Sequence, residues 1–155
     1  MESVLLVRDI MISDVETARL DDTLREIVRK MVRSHIGSIV VVQEDRPVGI
    51  VTERDVLVQL SQARLELDVT RAKNIMSKPV LTIGVKRTIR EAAEFMTNNN
   101  IKKLPVTEGE KLVGIVTSTD IMRCARGFAD LYEEMDWLWR QRKTDSNSIA
   151  TGALS

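Results

Sequence analysis

Val48-Gly49-Ile50-Val51-Thr52-Glu53-Arg54-Asp55 returns 65 residues later as Val113-Gly114-Ile115-Val116-Thr117-Ser118-Thr119-Asp120, identical at six of eight positions. The same offset lays residues 8–57 on 73–122 without a gap. Ile10-Met11 falls on Ile75-Met76, Thr17 on Thr82, Thr23 on Thr88, Arg25-Glu26 on Arg90-Glu91, Met31 on Met96 and Ile36 on Ile101. Two copies of one unit are too few for a solenoid, whose repeats stack in longer arrays. They are expected to pack face to face about a pseudo-twofold axis, to share a core and to leave equivalent clefts between them.

Within each copy the hydrophobic period names the elements. Leu24, Ile27, Val28, Met31 and Val32 recur at helical spacing, as do Ile89, Ala92, Ala93 and Met96. Thr23 with Glu26 and Thr88 with Glu91 form the threonine-to-glutamate spacing of a capping box at the start of each helix. Ile39 to Val42 and Val48 to Val51 flank the polar turn Glu44-Asp45-Arg46-Pro47, and Leu104 to Thr107 and Leu112 to Val116 flank Glu108-Gly109-Glu110-Lys111. Each pair predicts a β-hairpin. A further helix starts near Glu53 and near Ser118. The order strand, helix, strand, strand, helix in each copy gives an α+β, mixed α/β fold. The repeats are bounded at residues 1–62 and 73–127, with a polar linker over 63–72.

Phe128, Tyr132, Trp137 and Trp139 are all but one of the aromatic residues, and with Leu131, Met135 and Leu138 they follow helical spacing. Residues 128–142 therefore predict an amphipathic C-terminal helix, whose apolar stripe packs either on its own chain or across a subunit contact. Residues 143–155 are small and polar, and are expected to be disordered.

The 155 residues carry 23 basic and 23 acidic side chains, with 43% apolar residues. A single cysteine and no signal-peptide pattern point to an unprocessed, cytoplasmic protein. The longest apolar stretches fall far below the ~20 residues needed to cross a bilayer. Zero net charge, aromatics gathered, all but one, at one end and no evident basic stripe give nucleic-acid binding only weak support. Enzyme signatures are missing too. His35 and Cys124 cannot assemble a zinc site or a nucleophile with its base, and no Walker A, G-x-G-x-x-G or H-E-x-x-H sequence occurs. His35 reads as a helix-ending residue and Cys124 as a small packing residue. No catalytic or metal-binding residue is assigned, and no enzymatic function is expected.

The repeated strand-to-helix segment is the candidate site. Thr52 and Thr117 stand at helix N-caps with Asp55 and Asp120 three residues on, where free backbone N–H groups favour anions. A hydroxyl and a carboxylate there suit a sugar diol, and Gly49 and Gly114 would let a ring approach the backbone closely. The same spacing is also a serviceable capping box, stabilising a helix start by about 1 kcal/mol.

On these residues the chain resembles the tandem cystathionine β-synthase (CBS) domain pair, or Bateman module, over about residues 7–124. Asp9-Ile10-Met11 and Asn74-Ile75-Met76 match the family's opening motif, followed by the capped helix, the paired strands and G-h-h-T-x-x-D. The resemblance implies a regulatory module binding an adenosine-containing ligand, AMP, ADP, ATP or S-adenosylmethionine, between the repeats, with signalling by conformational or dimer change. It places Asp55 and Asp120 on ribose hydroxyls and Thr52 and Thr117 near sugar or phosphate. Lys102 and Lys103, ahead of Leu104-Pro105-Val106, would meet phosphate. Backbone around Val15 to Thr17 and Val80 to Thr82 would hold adenine, and Ser77 would add a hydroxyl. In the first copy the equivalents of the lysines are Gly37 and Ser38. Either the two clefts differ, or Arg33, His35 or Arg54 supplies the missing charge. No obligatory cofactor is implied, and whether Mg2+ accompanies a triphosphate is left open. The expected partners are the small ligand, a second copy in a homodimer and a regulated protein. The alternative is a ligand-free scaffolding dimer that recruits a protein through its aromatic helix.

Overall fold

The computed structural model describes residues 4–62, 66–124, 133 and 135–141. The elements run α1 (Val7–Ile10), β1 (Thr17–Arg19), α2 (Leu24–Ser34), β2 (Ser38–Gln43), β3 (Arg46–Thr52) and α3 (Glu53–Ser61) in the first repeat. The second repeat follows with α4 (Ala72–Ile75), β4 (Ile83–Gly84), α5 (Ile89–Asn98), β5 (Lys103–Glu108), β6 (Lys111–Thr117) and α6 (Ser118–Cys124). The order strand, helix, strand, strand, helix holds in both copies. Each is also preceded by one helical turn, α1 or α4, which is too short to show a period.

Each repeat builds a three-stranded sheet, β1-β2-β3 or β4-β5-β6, with its first pair parallel and its second antiparallel. The register repeats as closely as the sequence does: Val41 pairs with Gly49 and Val106 with Gly114, each followed by a bulge at the next residue. The hairpin loops are tighter than the four-residue turns expected, because Arg46 and Lys111 already belong to the strands. Glu44 and Asp45 both take positive φ, whereas the second loop places Gly109 at φ +63°. Such two-residue loops match the twist of the flanking strands. Thr23 and Thr88 cap α2 and α5, each accepting the amide of the glutamate three residues on.

The interior is two cores rather than the single shared core expected. Ala18, Ile27, Met31, Ile39, Val41 and Val51 form the first with Ala72 of the second repeat. Met96, Leu104, Val106, Val116 and Ile121 form the second with Val7 of the first repeat. Each opening turn has crossed to the other repeat. Val7 donates its N–H to Arg87 O and Ala72 donates to Asp22 O, at 2.8 and 2.9 Å. Ile12 and Ile115 exchange two backbone hydrogen bonds, and Ser77 and Ile50 do the same. This exchange makes the pseudo-twofold physical, since neither repeat completes its core alone.

Described residues of the C-terminal segment are helical at 133 and 135–141. Met135 is buried in the second core and Trp139 packs against it, while Trp137 faces outward. The predicted helix thus has an intrachain contact. Phe128, Leu131 and Tyr132, the rest of 128–142 and the tail 143–155 lie outside the described residues, as do linker residues 63–65.

Candidate functional site

The strand-to-helix junctions are geometrically alike. The Thr52 N–H and hydroxyl both donate to Asp55 Oδ2, at 2.7 and 2.9 Å, and the Asp55 N–H donates back to Thr52 Oγ1 at 3.2 Å. Thr117 and Asp120 repeat this at 2.8, 2.8 and 3.1 Å. Capping is therefore realised in both copies. It occupies one oxygen of each carboxylate, and Oδ1 has no protein donor among the described residues. A half-buried acceptor remains at each helix start.

Among the described residues, the first junction opens onto a sizeable cleft that also carries charge. A space of ≈ 820 Å³ is lined by Thr52 and Arg54 from the first repeat, by Ser77 and Val80 from the loop after α4, and by Lys102, Lys103 and Pro105 from the start of β5. Gly49 and Asp55 do not line this space; Asp55 follows Arg54 in α3 and is held to Thr52 by the cap. Gly114, Thr117 and Asp120 do not line it either. A second groove, ≈ 700 Å³ between α2 and α3, is walled by aliphatic side chains such as Val28, Val32 and Leu57.

The first copy's missing basic pair is made good across the repeat boundary. Lys102 and Lys103 reach the cleft that contains Thr52, so Arg54 and the two lysines face it against Glu53. Gly37 matters here for the room it leaves. A Cβ at Gly37 would stand 3.2 Å from Glu53 Oε1 and 3.5 Å from Lys103 Nζ. A side chain would crowd both charged groups. His35, the αL cap of α2, is exposed and lines the aliphatic groove rather than this cleft.

Gly49 and Gly114 have a different task from the one expected. A Cβ on Gly49 would overlap Met76 Sδ, and one on Gly114 would come within 2.6 Å of Met11 Sδ. The space each glycine leaves is filled by the opening Ile-Met motif of the other repeat, so it is not free for a ligand ring. Sequence spacing also missed Trp139. It lines the same cleft, and Lys102 Nζ sits 5.1 Å from its ring centroid. A residue 37 positions beyond Lys102 leaves no local signal of that contact. Cys124 is half-buried against the second core, as a packing residue. No cluster of three or more His, Cys, Asp or Glu suited to a metal occurs among the described residues, and none of their helices is long and apolar enough to cross a membrane.

Comparison with known proteins gives this geometry a setting. An uncharacterized protein of Methanopyrus kandleri is 39% identical over 112 residues, 71% of this chain and 57% of that protein. The inosine-5′-monophosphate dehydrogenase of Methanocaldococcus jannaschii is 33% identical over 125 residues, 79% of this chain but 24% of the enzyme. The chain thus spans about a quarter to somewhat over half of these relatives. Among solved structures, the CBS domain pair of protein MJ0100, in complex with 5′-methylthioadenosine and S-adenosyl-L-methionine, superposes with TM-score 0.72 at 29% identity, covering 81% of this chain and 98% of that one. A CBS-domain containing protein of Agrobacterium tumefaciens gives 0.69 at 26% identity, over 79% and 95%. The CBS domain model itself matches twice, at residues 7–62 and 72–127. With two intact repeats that complete each other's cores, this chain belongs to the CBS-domain family and is a tandem CBS pair.

Proposed function

We propose that this CBS pair is a regulatory module that binds an adenosine-containing compound, AMP, ADP, ATP or S-adenosylmethionine, in the cleft between Thr52 and Lys102. One observation carries the reading: the cap of α3, with the second oxygen of Asp55 unused, lies beside a cleft faced by Arg54, Lys102 and Lys103. A carboxylate beside a helix start suits ribose hydroxyls, and the cations suit an anionic group on the same ligand. The adenosyl ligands of the MJ0100 pair support this choice of chemistry. Ile50, Pro79 and Val80 offer an apolar wall for a base.

The module carries out no reaction. Its cleft draws Thr52 from one repeat and Ser77, Lys102 and Lys103 from the other, so an occupant favours whichever arrangement brings these together. The shift is transmitted through dimer geometry or the C-terminal helix to a regulated protein. A homodimer through α2 and α3 is part of the proposal, because Val32 and Leu57 are 69% and 63% exposed on that face. Light scattering should give twice the chain mass, and a monomer would remove this part.

Thermal unfolding against AMP, ADP, ATP, NAD and S-adenosylmethionine tests the reading. Ligand at 100 times Kd adds about 2.7 kcal/mol, several degrees in midpoint at this size. Asp55→Asn should abolish the shift, while Asp120→Asn, away from the cleft, should retain it. Flat curves across the panel at millimolar ligand reject the sensor and favour the scaffolding alternative.

A further inference from the structure

Two features break the internal repeat, and both arrive at the same cleft. The lysine pair has no counterpart at Gly37-Ser38, and the helix at 135–141 follows the second repeat only. Met135 anchors that helix in the second core. From there Trp139 forms part of the cleft wall, with the Lys102 ammonium over its ring at 5.1 Å. The indole Nε1 is enclosed with no hydrogen-bond partner among the described residues, so packing and the cation hold the ring. Lys102 itself is exposed, and no ion pair with a carboxylate among the described residues restrains it.

We infer that Trp139 is a positioning residue for the anion-binding half of the cleft: its ring seats the Lys102 ammonium so that it meets a phosphate on the ligand. A lysine stem has several rotatable bonds, and an ammonium confined over an aromatic face loses less freedom on pairing. The ring attracts the cation without consuming a negative charge, so the ammonium keeps its capacity for phosphate. The C-terminal helix is then a component of the site, and its presence on one repeat makes one of two pseudo-equivalent clefts the phosphate-selective one.

The inference rests on the proposed adenosine-ligand reading and is tested by titration calorimetry of the full chain with AMP and with adenosine. Wild type should prefer AMP. Trp139→Leu, which keeps apolar bulk, should narrow the AMP-to-adenosine affinity ratio by about two- to fivefold while leaving adenosine affinity unchanged. Trp139→Phe, which keeps a ring face, should restore most of the ratio. Lys102→Met leaves the indole in place and should narrow the ratio at least as much, with Trp139→Leu adding nothing in that background. An AMP preference that survives Trp139→Leu, or that Trp139→Leu still narrows in the Lys102→Met background, overturns the inference and leaves the ligand reading standing. Equal wild-type affinity for AMP and adenosine overturns it too. Binding of neither compound defeats it as well, with S-adenosylmethionine then the remaining support for an adenosyl site.

Discussion

Met76 occupies the space that a Cβ on Gly49 would need, and Met11 stands in the same relation to Gly114. The two contacts are related by the repeat and cross it in opposite directions. They lock the opening turn of each copy against the hairpin of the other, beside the backbone pairs Ser77–Ile50 and Ile12–Ile115. Integrity of the pair, and hence of any cleft between the copies, depends on these glycines.

Gly49→Ala and Gly114→Ala should each destabilise the protein by about 1–3 kcal/mol through overpacking. Gly114→Ala should cost more, because Ile12 O also lies 3.0 Å from the added carbon and backbone yields less than a thioether. Denaturant midpoints at constant m-value measure both. Met76→Ala combined with Gly49→Ala should recover part of the loss, and strict additivity would contradict the contact.

The first hairpin loop has room for improvement. Glu44 and Asp45 adopt φ of 51° and 63°, the left-handed region that costs L-residues roughly 1–2 kcal/mol each. Replacing Glu44-Asp45 by Asn-Gly should stabilise the chain by about 1 kcal/mol. The Asp45 carbonyl that accepts the Leu112 N–H at 2.8 Å is main chain and survives the change. A melting midpoint that stays put or falls would show that the strain is not released.

Met135 and Trp137 sit two residues apart on one helix with opposite surroundings, 2% and 59% exposed. Met135→Ala should cost about 2–5 kcal/mol by opening a cavity in the second core. Trp137→Ala should stay within about 0.5 kcal/mol. Similar small losses for both would mean that the helix does not dock on the second core in solution.

Acid should loosen the protein through three carboxylates. The Lys73 hydrogen bond holds Asp21 below the usual carboxylate range, Arg25 does so for Asp68, and the Thr88 amide does so for Glu91. With native pKa values depressed, the unfolded chain binds more protons in acid. The contribution is present above about pH 4–5, where even the unfolded carboxylates are ionised, and is lost as pH falls through the native pKa values. Urea midpoints between pH 7 and pH 3 should fall at the acid end, less steeply in Arg25→Met and Lys73→Met. All three sites are at the surface, so salt should shrink the difference. Identical acid profiles for the variants and wild type at low salt would refute the assignment.

By itself the sequence determined whatever depends on near neighbours along the chain. Thr23 with Glu26 and Thr52 with Asp55 are three residues apart, and a helix start brings such pairs within hydrogen-bond reach whatever surrounds them. The same locality made α2, α5 and the two hairpins readable from their periods, and a gapless offset implied a pair of like units with a pseudo-twofold. The tertiary structure decided the rest, because it turns on contacts between segments whose separation in the chain carries no distance. Gly49 and Met76 are 27 residues apart, and spacing alone offered a ligand rather than a methionine for the glycine's empty side. Lys102 and Lys103 belong by sequence to the second copy, yet the packing of the two repeats against each other brings them to the cleft of Thr52. Trp139 joins them because Met135 finds a core to enter, a packing event that no periodicity along residues 128–142 encodes.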